Sequence, residues 1–221
     1  MFSDTELKGK FLVIEGPDGV GKTSVVERTA EILRADGQDV KTIILAQATE
    51  LGAATQSFRV SKHTDGMAGG FLFLAMLRQT LMEQIVPHLQ KGGTVISDRF
   101  LLSTYLYQVK AKKVFDREMF AIMVEHLQGD WCPTAYCVLH ASDDALHNRL
   151  GGRGNLSPFD ADNYLQKSIR EGYRSFDELV IFVQSCSPYS SFHMIDTTSL
   201  TVEQVVQSVS SDFLRSYPMQ L

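Results

Sequence analysis

The feature that most constrains this chain is an eight-residue segment, Gly16-Pro17-Asp18-Gly19-Val20-Gly21-Lys22-Thr23, which fits G-x-x-x-x-G-K-[ST] in full. It follows an apolar run, residues 10–15 (KFLVIE). It opens residues 21–36, where Val25, Val26, Thr29, Ile32 and Leu33 recur at helical spacing before Gly37. Strand, glycine-rich turn and helix in that order make a phosphate cradle. The glycines let the backbone curl so that successive N–H groups point inward, and the helix N-terminus adds partial positive charge. The lysine of such a loop reaches the β- and γ-phosphates, and the Ser/Thr hydroxyl binds Mg²⁺. The expected ATP-binding set is Gly16, Gly19, Val20, Gly21, Lys22, Thr23 and Ser24, with Thr23 also a metal ligand and Lys22 also catalytic.

The rest of the pattern alternates. Residues 40–46, 94–98, 135–140 and 192–197 read as further strands. Residues 66–90, 100–109, 116–128, 142–150, 160–184 and 201–216 read as helices, and residues 151–158 (GGRGNLSP) as a loop. Strands apolar on both faces and separated by helices, behind a phosphate loop, predict an α/β fold: a three-layer, doubly wound, parallel five-stranded sheet of the P-loop NTPase type. Residues 1–221 read as one domain. Ligands of such sheets sit at the carboxyl ends of the strands.

A phosphate loop says "nucleotide" without naming the reaction, and the remaining sequence narrows it. No N-K-x-D motif follows a strand, which argues against a GTPase. Lys plus Arg number 21 against 26 for Asp plus Glu, a net charge of −5, so a nucleic-acid partner is not expected. The longest apolar run, Phe71 to Leu77, is too short to span a bilayer, and the segment MFSDTELKGKF has no apolar leader core. Three cysteines without a CxxC, and six histidines without metal spacing, suit a reduced compartment. The expectation is a cytoplasmic protein with no membrane partner. Met67, Met76, Met82, Met119 and Met123 read as core fillers.

A second phosphate site follows the strand at 94–98. Asp98 ends that strand, where a carboxylate can hold Mg²⁺ or orient an acceptor. Arg99 comes next with a planar fork suited to a phosphate monoester. Arg99, Ser103 and Tyr107 recur every four residues and so share a helix face. In the long helix, Phe71, Leu74, Leu81, Ile85 and Leu89 form an apolar stripe on which Arg78 falls. An arginine there either faces a substrate pocket or packs its stem with a partner for its head.

Together these residues resemble thymidylate kinase, the family that phosphorylates dTMP to dTDP with ATP. The resemblance is carried by GPDGVGKT with Asp18 inside it, by Asp98, Arg99, Ser103, Tyr107 and Gln108, and by Arg78 twenty residues before Asp98. It extends to Arg153, Gly154 and Leu156, then Ile169, Arg170 and Tyr173, and finally Ile195, Asp196 and Thr197. It implies ATP and a deoxypyrimidine monophosphate as partners, Mg²⁺ as cofactor, a mobile lid at about 148–160, and a homodimer. It implies that Asp18 approaches the acceptor sugar and the metal-bound waters, and that Arg99 holds the acceptor phosphate. Arg78 would read the base O4 and Thr104 its neighbouring edge. Phe73 or Leu74 would pack on the base, Ser103 would bind substrate, and Tyr107 would disfavour a ribose. Gly19 stands where one subclass has arginine in the loop, so Arg149 and Arg153 of the lid are the expected ATP-side arginines, Arg153 also catalytic. Two departures mark the chain: Ala46-Gln47-Ala48-Thr49-Glu50 replaces the family's T-R-E-P-G-G, and Ser157-Pro158 replaces a lid Asp-Arg. They keep open the same chemistry on dUMP or a 5-modified dUMP, and a binding protein that kept its loop without turnover.

Overall fold

The computed structural model describes residues 9–59, 65–151 and 163–215. Five strands form one parallel sheet: β1 Lys10–Glu15, β2 Val40–Ile44, β3 Thr94–Asp98, β4 Ala135–His140 and β5 Ser191–Asp196. Their spatial order is β2-β3-β1-β4-β5, and every pairing is parallel. The chain leaves β1 toward β2 and β3, then crosses over β1 to reach β4. Winding therefore reverses at β1, which opens a crevice at the carboxyl ends of β1 and its neighbours. Register puts Asp98 beside both Ile14 and Ile44 at those ends.

The strands alternate between two separate cores. Phe11 and Val13 of β1, with Val95, Tyr136 and Val138, face one cluster; Leu12 and Ile14, with Ile96, Cys137 and Leu139, face the other. Both faces are apolar because both are covered, the arrangement the strand sequences predict. Helices α1 Lys22–Ala35 and α10 Val202–Arg215 pack together. They supply Val25, Leu33, Val205 and Val209 to the second cluster, which Leu146 of α7 Asp143–Gly151 joins. The first cluster takes side chains from α3 Gly66–Thr80, α4 Val86–Gln90, α5 Leu101–Tyr105, α6 Arg117–Gln128, α8 Asn163–Arg174 and α9 Phe176–Cys186.

Several elements differ from the sequence expectation. The long helix over 66–90 is helical throughout but widens to a π-helix at Leu81–Ile85. Pro87 follows two residues after Ile85, and a proline cannot donate to the preceding turn. The helix after Arg99 starts at Leu101 and continues as a π-helix from Leu106 to Ala111. Residues 160–184 are two helices in the described part, broken at Ser175. A helix not foreseen, α2 Glu50–Arg59, follows the 3-10 turn Leu45–Gln47. Its start is capped by Thr49, whose hydroxyl accepts from the Gly52 N–H at 3.1 Å. Met76 is buried as expected, but Met67 and Met119 are exposed on α3 and α6.

Candidate active site

The loop after β1 has the backbone that its glycines allow. Gly16, Gly19 and Gly21 all have positive φ, and Gly21 in the left-handed region precedes α1. A Cβ on Gly16 would lie 2.3 Å from the Leu139 carbonyl oxygen of β4, so only glycine fits there. Lys22 is buried, and its ammonium donates to the Pro17 carbonyl at 2.9 Å and lies 3.7 Å from the Asp18 carboxylate. Burial first, and the nearby Arg99 charge second, push Lys22 down to about 8. Val20 is buried under the loop, while Thr23 and Ser24 are exposed on the first turn of α1.

Two of the expected residues are joined directly. The Thr23 hydroxyl donates to Asp98 Oδ2 at 2.8 Å. These are hard oxygen donors at the phosphate end of the crevice, the kind Mg²⁺ takes. No three His, Cys, Asp or Glu side chains converge as a metal cluster among the described residues.

Arg99 departs from the expectation that it starts a helix. Its φ is 75°, in the left-handed region that costs a side chain with a Cβ. Three hydrogen bonds hold this turn: Arg99 N to the Ile14 carbonyl at 3.0 Å, Ser97 Oγ to the Arg99 carbonyl at 2.7 Å, and Phe100 N to Glu15 Oε1 at 2.7 Å. The turn aims the guanidinium back over the phosphate loop, where Nη2 donates to Asp18. Nη1 donates to Ser103 Oγ at 3.0 Å and to the Tyr173 hydroxyl at 3.2 Å. Burial works against the guanidinium charge, but Asp18 foremost, then Tyr173, Tyr107 and Glu15, hold Arg99 well above its ordinary value.

Beneath Arg99 lies a carboxylate that the sequence reading did not single out. Glu15 is fully buried at the end of β1. Oε1 accepts from the N–H groups of Phe100 and Ser103 at 2.7 and 3.1 Å; Oε2 accepts from Ser103 Oγ at 2.6 Å and the Tyr173 hydroxyl at 2.8 Å. A carboxylate has about four lone-pair sites, and all are filled. With both hydroxyl protons directed at Glu15, the free lone pairs of Ser103 and Tyr173 remain to receive Arg99. Burial first, and the Glu15 charge second, raise the Tyr173 phenol well above its ordinary value, so it stays a donor. The signal for Glu15 was an acidic residue closing an otherwise apolar strand. Tyr173 matched a family motif but carried no assigned role.

These groups line one cavity. Asp18, Gly19, Gly21, Lys22, Thr23, Asp98 and Arg99 form its charged end. Ser103, Thr104, Tyr107 and Gln108 run along one wall, with Phe73 and Met76 opposite, and Ile44, Leu45 and Ala46 complete the apolar end. Ala46 stands in the segment where the family resemblance expects an arginine. Arg99 is the only guanidinium lining the cavity among the described residues.

Two of the expected substrate residues lie off the cavity lining. Leu74 is buried in the core, and Phe73 takes the cavity position instead. Arg78 does not line the cavity; its Nη1 donates to the Leu127 carbonyl at 2.8 Å. The reason is helical phase. Leu74 and Arg78, four apart, share the face turned toward α6, while Phe73 and Met76, three apart, share the face turned to the crevice. Leu127 is in the last turn of α6, whose carbonyls lack helical partners, so Arg78 serves as a cap. Arg149 binds away from the cavity, donating to the Thr197 hydroxyl and carbonyl at 3.1 and 2.6 Å beyond β5. Arg153 and the lid loop over 152–162 lie outside the described residues.

Comparison with known proteins adds an independent line. The thymidylate kinase family model matches residues 14–209. A thymidylate kinase of Geobacillus sp. (strain WCH70) is 36% identical over 191 residues, covering 82% of this chain and 91% of that protein. One from Dichelobacter nodosus is 30% identical over 149 residues, covering 65% of this chain and 73% of that protein. One from Caldicellulosiruptor saccharolyticus is 25% identical over 213 residues, covering 92% and 98%.

Proposed function

The chain belongs to the thymidylate kinase family, and from that membership we propose that it transfers the γ-phosphoryl group of ATP to dTMP, giving dTDP. The observation that carries the reading is the cavity joining a complete phosphate loop to a half-buried arginine fork, with an apolar end beyond them. One end suits donor phosphates, the fork suits the acceptor phosphate, and the apolar end suits a base.

The roles follow from the chemistry of each group. The loop N–H groups and Lys22 hold the β- and γ-phosphates. Arg99 holds the acceptor phosphate, oriented from below by Ser103, Tyr173 and Glu15 and from the loop by Asp18. Thr23 and Asp98 suit Mg²⁺ by donor type and position. Bound Mg²⁺ would neutralise charge on the donor phosphate oxygens. Lys22 and Arg99 bring the two phosphates together despite their like charge, and holding them in line is most of the catalysis such transfers need. Phe73 packs on the base, Thr104 meets its edge, and Tyr107 crowds the sugar. The resemblance keeps Arg153 on the ATP side, in a lid near 148–160 that excludes water when closed, while Arg149 is engaged at Thr197.

The exposed apolar side chains Met67 and Phe71 of α3 and Met119 and Ile122 of α6 suit a homodimer contact. Light scattering on the purified protein tests it. No described helix is long and apolar enough to cross a membrane. Action in the cytoplasm, as a single catalytic domain, completes the reading.

A coupled ADP-release assay with Mg-ATP tests the reaction on dTMP, dUMP, dCMP, dGMP and dAMP. The expected result is fastest turnover with dTMP. ATP binding without turnover on any acceptor would overturn it.

A further inference from the structure

An acidic side chain stands among the groups that hold phosphate, and one of its oxygens meets both cations. Asp18 Oδ1 accepts from Arg99 Nη2 and lies 3.7 Å from Lys22 Nζ. All three side chains line the charged end of the cavity. A carboxylate at that point repels an incoming phosphate, so its place calls for a reason.

The two cations supply it. Burial first, and the Arg99 charge second, lower Lys22 to about 8, so the two positive groups already act on each other. Burial opposes the Arg99 charge, and Asp18 foremost restores it. Like charges this close need an anion between them. Glu15 cannot serve, because its lone pairs are filled beneath the fork. Asp98, the other carboxylate lining the cavity among the described residues, accepts from the Thr23 hydroxyl at 2.8 Å. Asp18 is the group that stands between.

Its position also matters for the transfer. Lys22 serves the donor phosphates and Arg99 the acceptor phosphate, so the gap between them is where charge must pass from one to the other. Arg99 Nη1 is engaged below by Ser103 and Tyr173, while Nη2 is engaged by Asp18. A phosphate that takes Nη2 therefore takes it from Asp18. The carboxylate can yield, since Asp18 is 33% exposed and a turn about χ1 swings it without moving the loop.

We propose that Asp18 is an internal anion that competes with the substrates for Lys22 and Arg99, so that one displacement of its carboxylate opens both phosphate sites and couples the binding of donor and acceptor. The inference rests on the two-phosphate reading above and adds the group through which the two sites communicate. Because one oxygen meets both cations, the first phosphate to arrive moves the carboxylate off its bridging place. The second finds it already moved and binds more tightly for that reason.

The test is calorimetry of dTMP binding, alone and with saturating Mg-β,γ-methylene-ATP, in the unmodified protein and in Asp18→Asn, which removes the charge and keeps the shape. The ratio of the two dTMP dissociation constants measures the coupling. The gain from the ATP analogue should be at least about fivefold larger in the unmodified protein than in Asp18→Asn. A contact between Asp18 and bound dTMP would change both constants alike and leave this ratio untouched. Inorganic phosphate, competing with dTMP, should inhibit Asp18→Asn at about tenfold lower concentration, since no internal anion opposes it. Coupling ratios within about twofold of each other, or an unchanged inhibition by inorganic phosphate, overturn the inference alone. Absence of dTMP binding and dTMP turnover in the unmodified protein overturns both the inference and the reaction assigned above.

Discussion

The hydroxyl of Tyr173 lies 2.8 Å from Glu15 Oε2, and the two residues are 158 positions apart in the chain. This bond ties α8, the helix that follows residues 152–162, to the end of β1 beneath the phosphate loop. It also places both residues under Arg99, through Ser103 and Tyr173. The arginine fork is therefore oriented by Glu15 and Tyr173, neither of which lines the cavity.

Glu15→Gln should be the most damaging change in this network. An amide puts an N–H₂ against Phe100 N–H, Ser103 or Tyr173, all of which donate. The expected loss is about 3 kcal/mol of stability, with an acceptor KM raised about tenfold. Tyr173→Phe removes one of the four bonds and should cost about 1–2 kcal/mol with a smaller rise in KM. Urea denaturation and steady-state kinetics on the two variants check the order. Equal effects, or none, would contradict it.

Lys22 makes nucleotide binding a proton-coupled event. Its value falls from the ordinary 10.5 to about 8 in the folded, ligand-free protein. Between those values the unfolded chain binds more protons at this site than the folded one. The Lys22 contribution to stability therefore rises as pH rises from about 8 toward 10.5, and is absent below about 8. Bound phosphates favour the charged lysine. ATP binding about one pH unit above 8 should thus take up most of one proton. Calorimetry in buffers of different ionisation enthalpy measures the uptake, and Lys22→Met should abolish it.

Asp98→Ala leaves the Thr23 hydroxyl without its partner and removes one candidate metal oxygen. Turnover should fall about 10²-fold or more, with a raised Mg²⁺ requirement. Lys22→Ala and Arg99→Ala should each cost a similar factor in rate. Magnesium titrations of Asp98→Ala separate a metal role from a packing role. An unchanged Mg²⁺ dependence would assign Asp98 to positioning alone.

Arg78→Met separates the helix phase seen in the structure from the family expectation. If Arg78 caps α6, the variant should lose about 1 kcal/mol of stability and keep its dTMP KM within about twofold. A tenfold rise in KM at unchanged stability would put the guanidinium on the base instead.

Gly16→Ala should fail as a fold before it fails as an enzyme. The position combines a φ of 149° with a carbonyl oxygen 2.3 Å from any Cβ. Thermal melting should show a loss of several kcal/mol, since backbone strain and an immovable clash add.

The phosphate loop, the five strands and the Asp98-Arg99 pair were legible because each depends on local pattern. A glycine spacing, an apolar run and a strand-ending carboxylate state their chemistry within a few residues. Glu15 and Tyr173 were not legible as a pair, since nothing in either neighbourhood announces a partner 158 positions away. Arg78 and Leu74 lie off the cavity lining, and the sequence could not show this because a stripe at three/four spacing identifies a helix face but not what that face meets. Here it meets α6, and Phe73, one residue away, meets the cavity. The split at Ser175 was hidden by helix-forming residues on both sides of it.

The π-helical segment Leu106–Ala111 behaves as an insertion absorbed without a loop. Removing one residue from it would restore ordinary α-helical phase and turn everything beyond by about 100° relative to what precedes it. Lys112 would rotate off the rim of the cavity, and the turn that Gln108 closes through Val114 would lose its register. A single-residue deletion there would therefore leave the phosphate loop and the arginine fork intact while dismantling the far wall. The segment divides the protein into a part that handles phosphates and a part that can be retuned for the ring they carry.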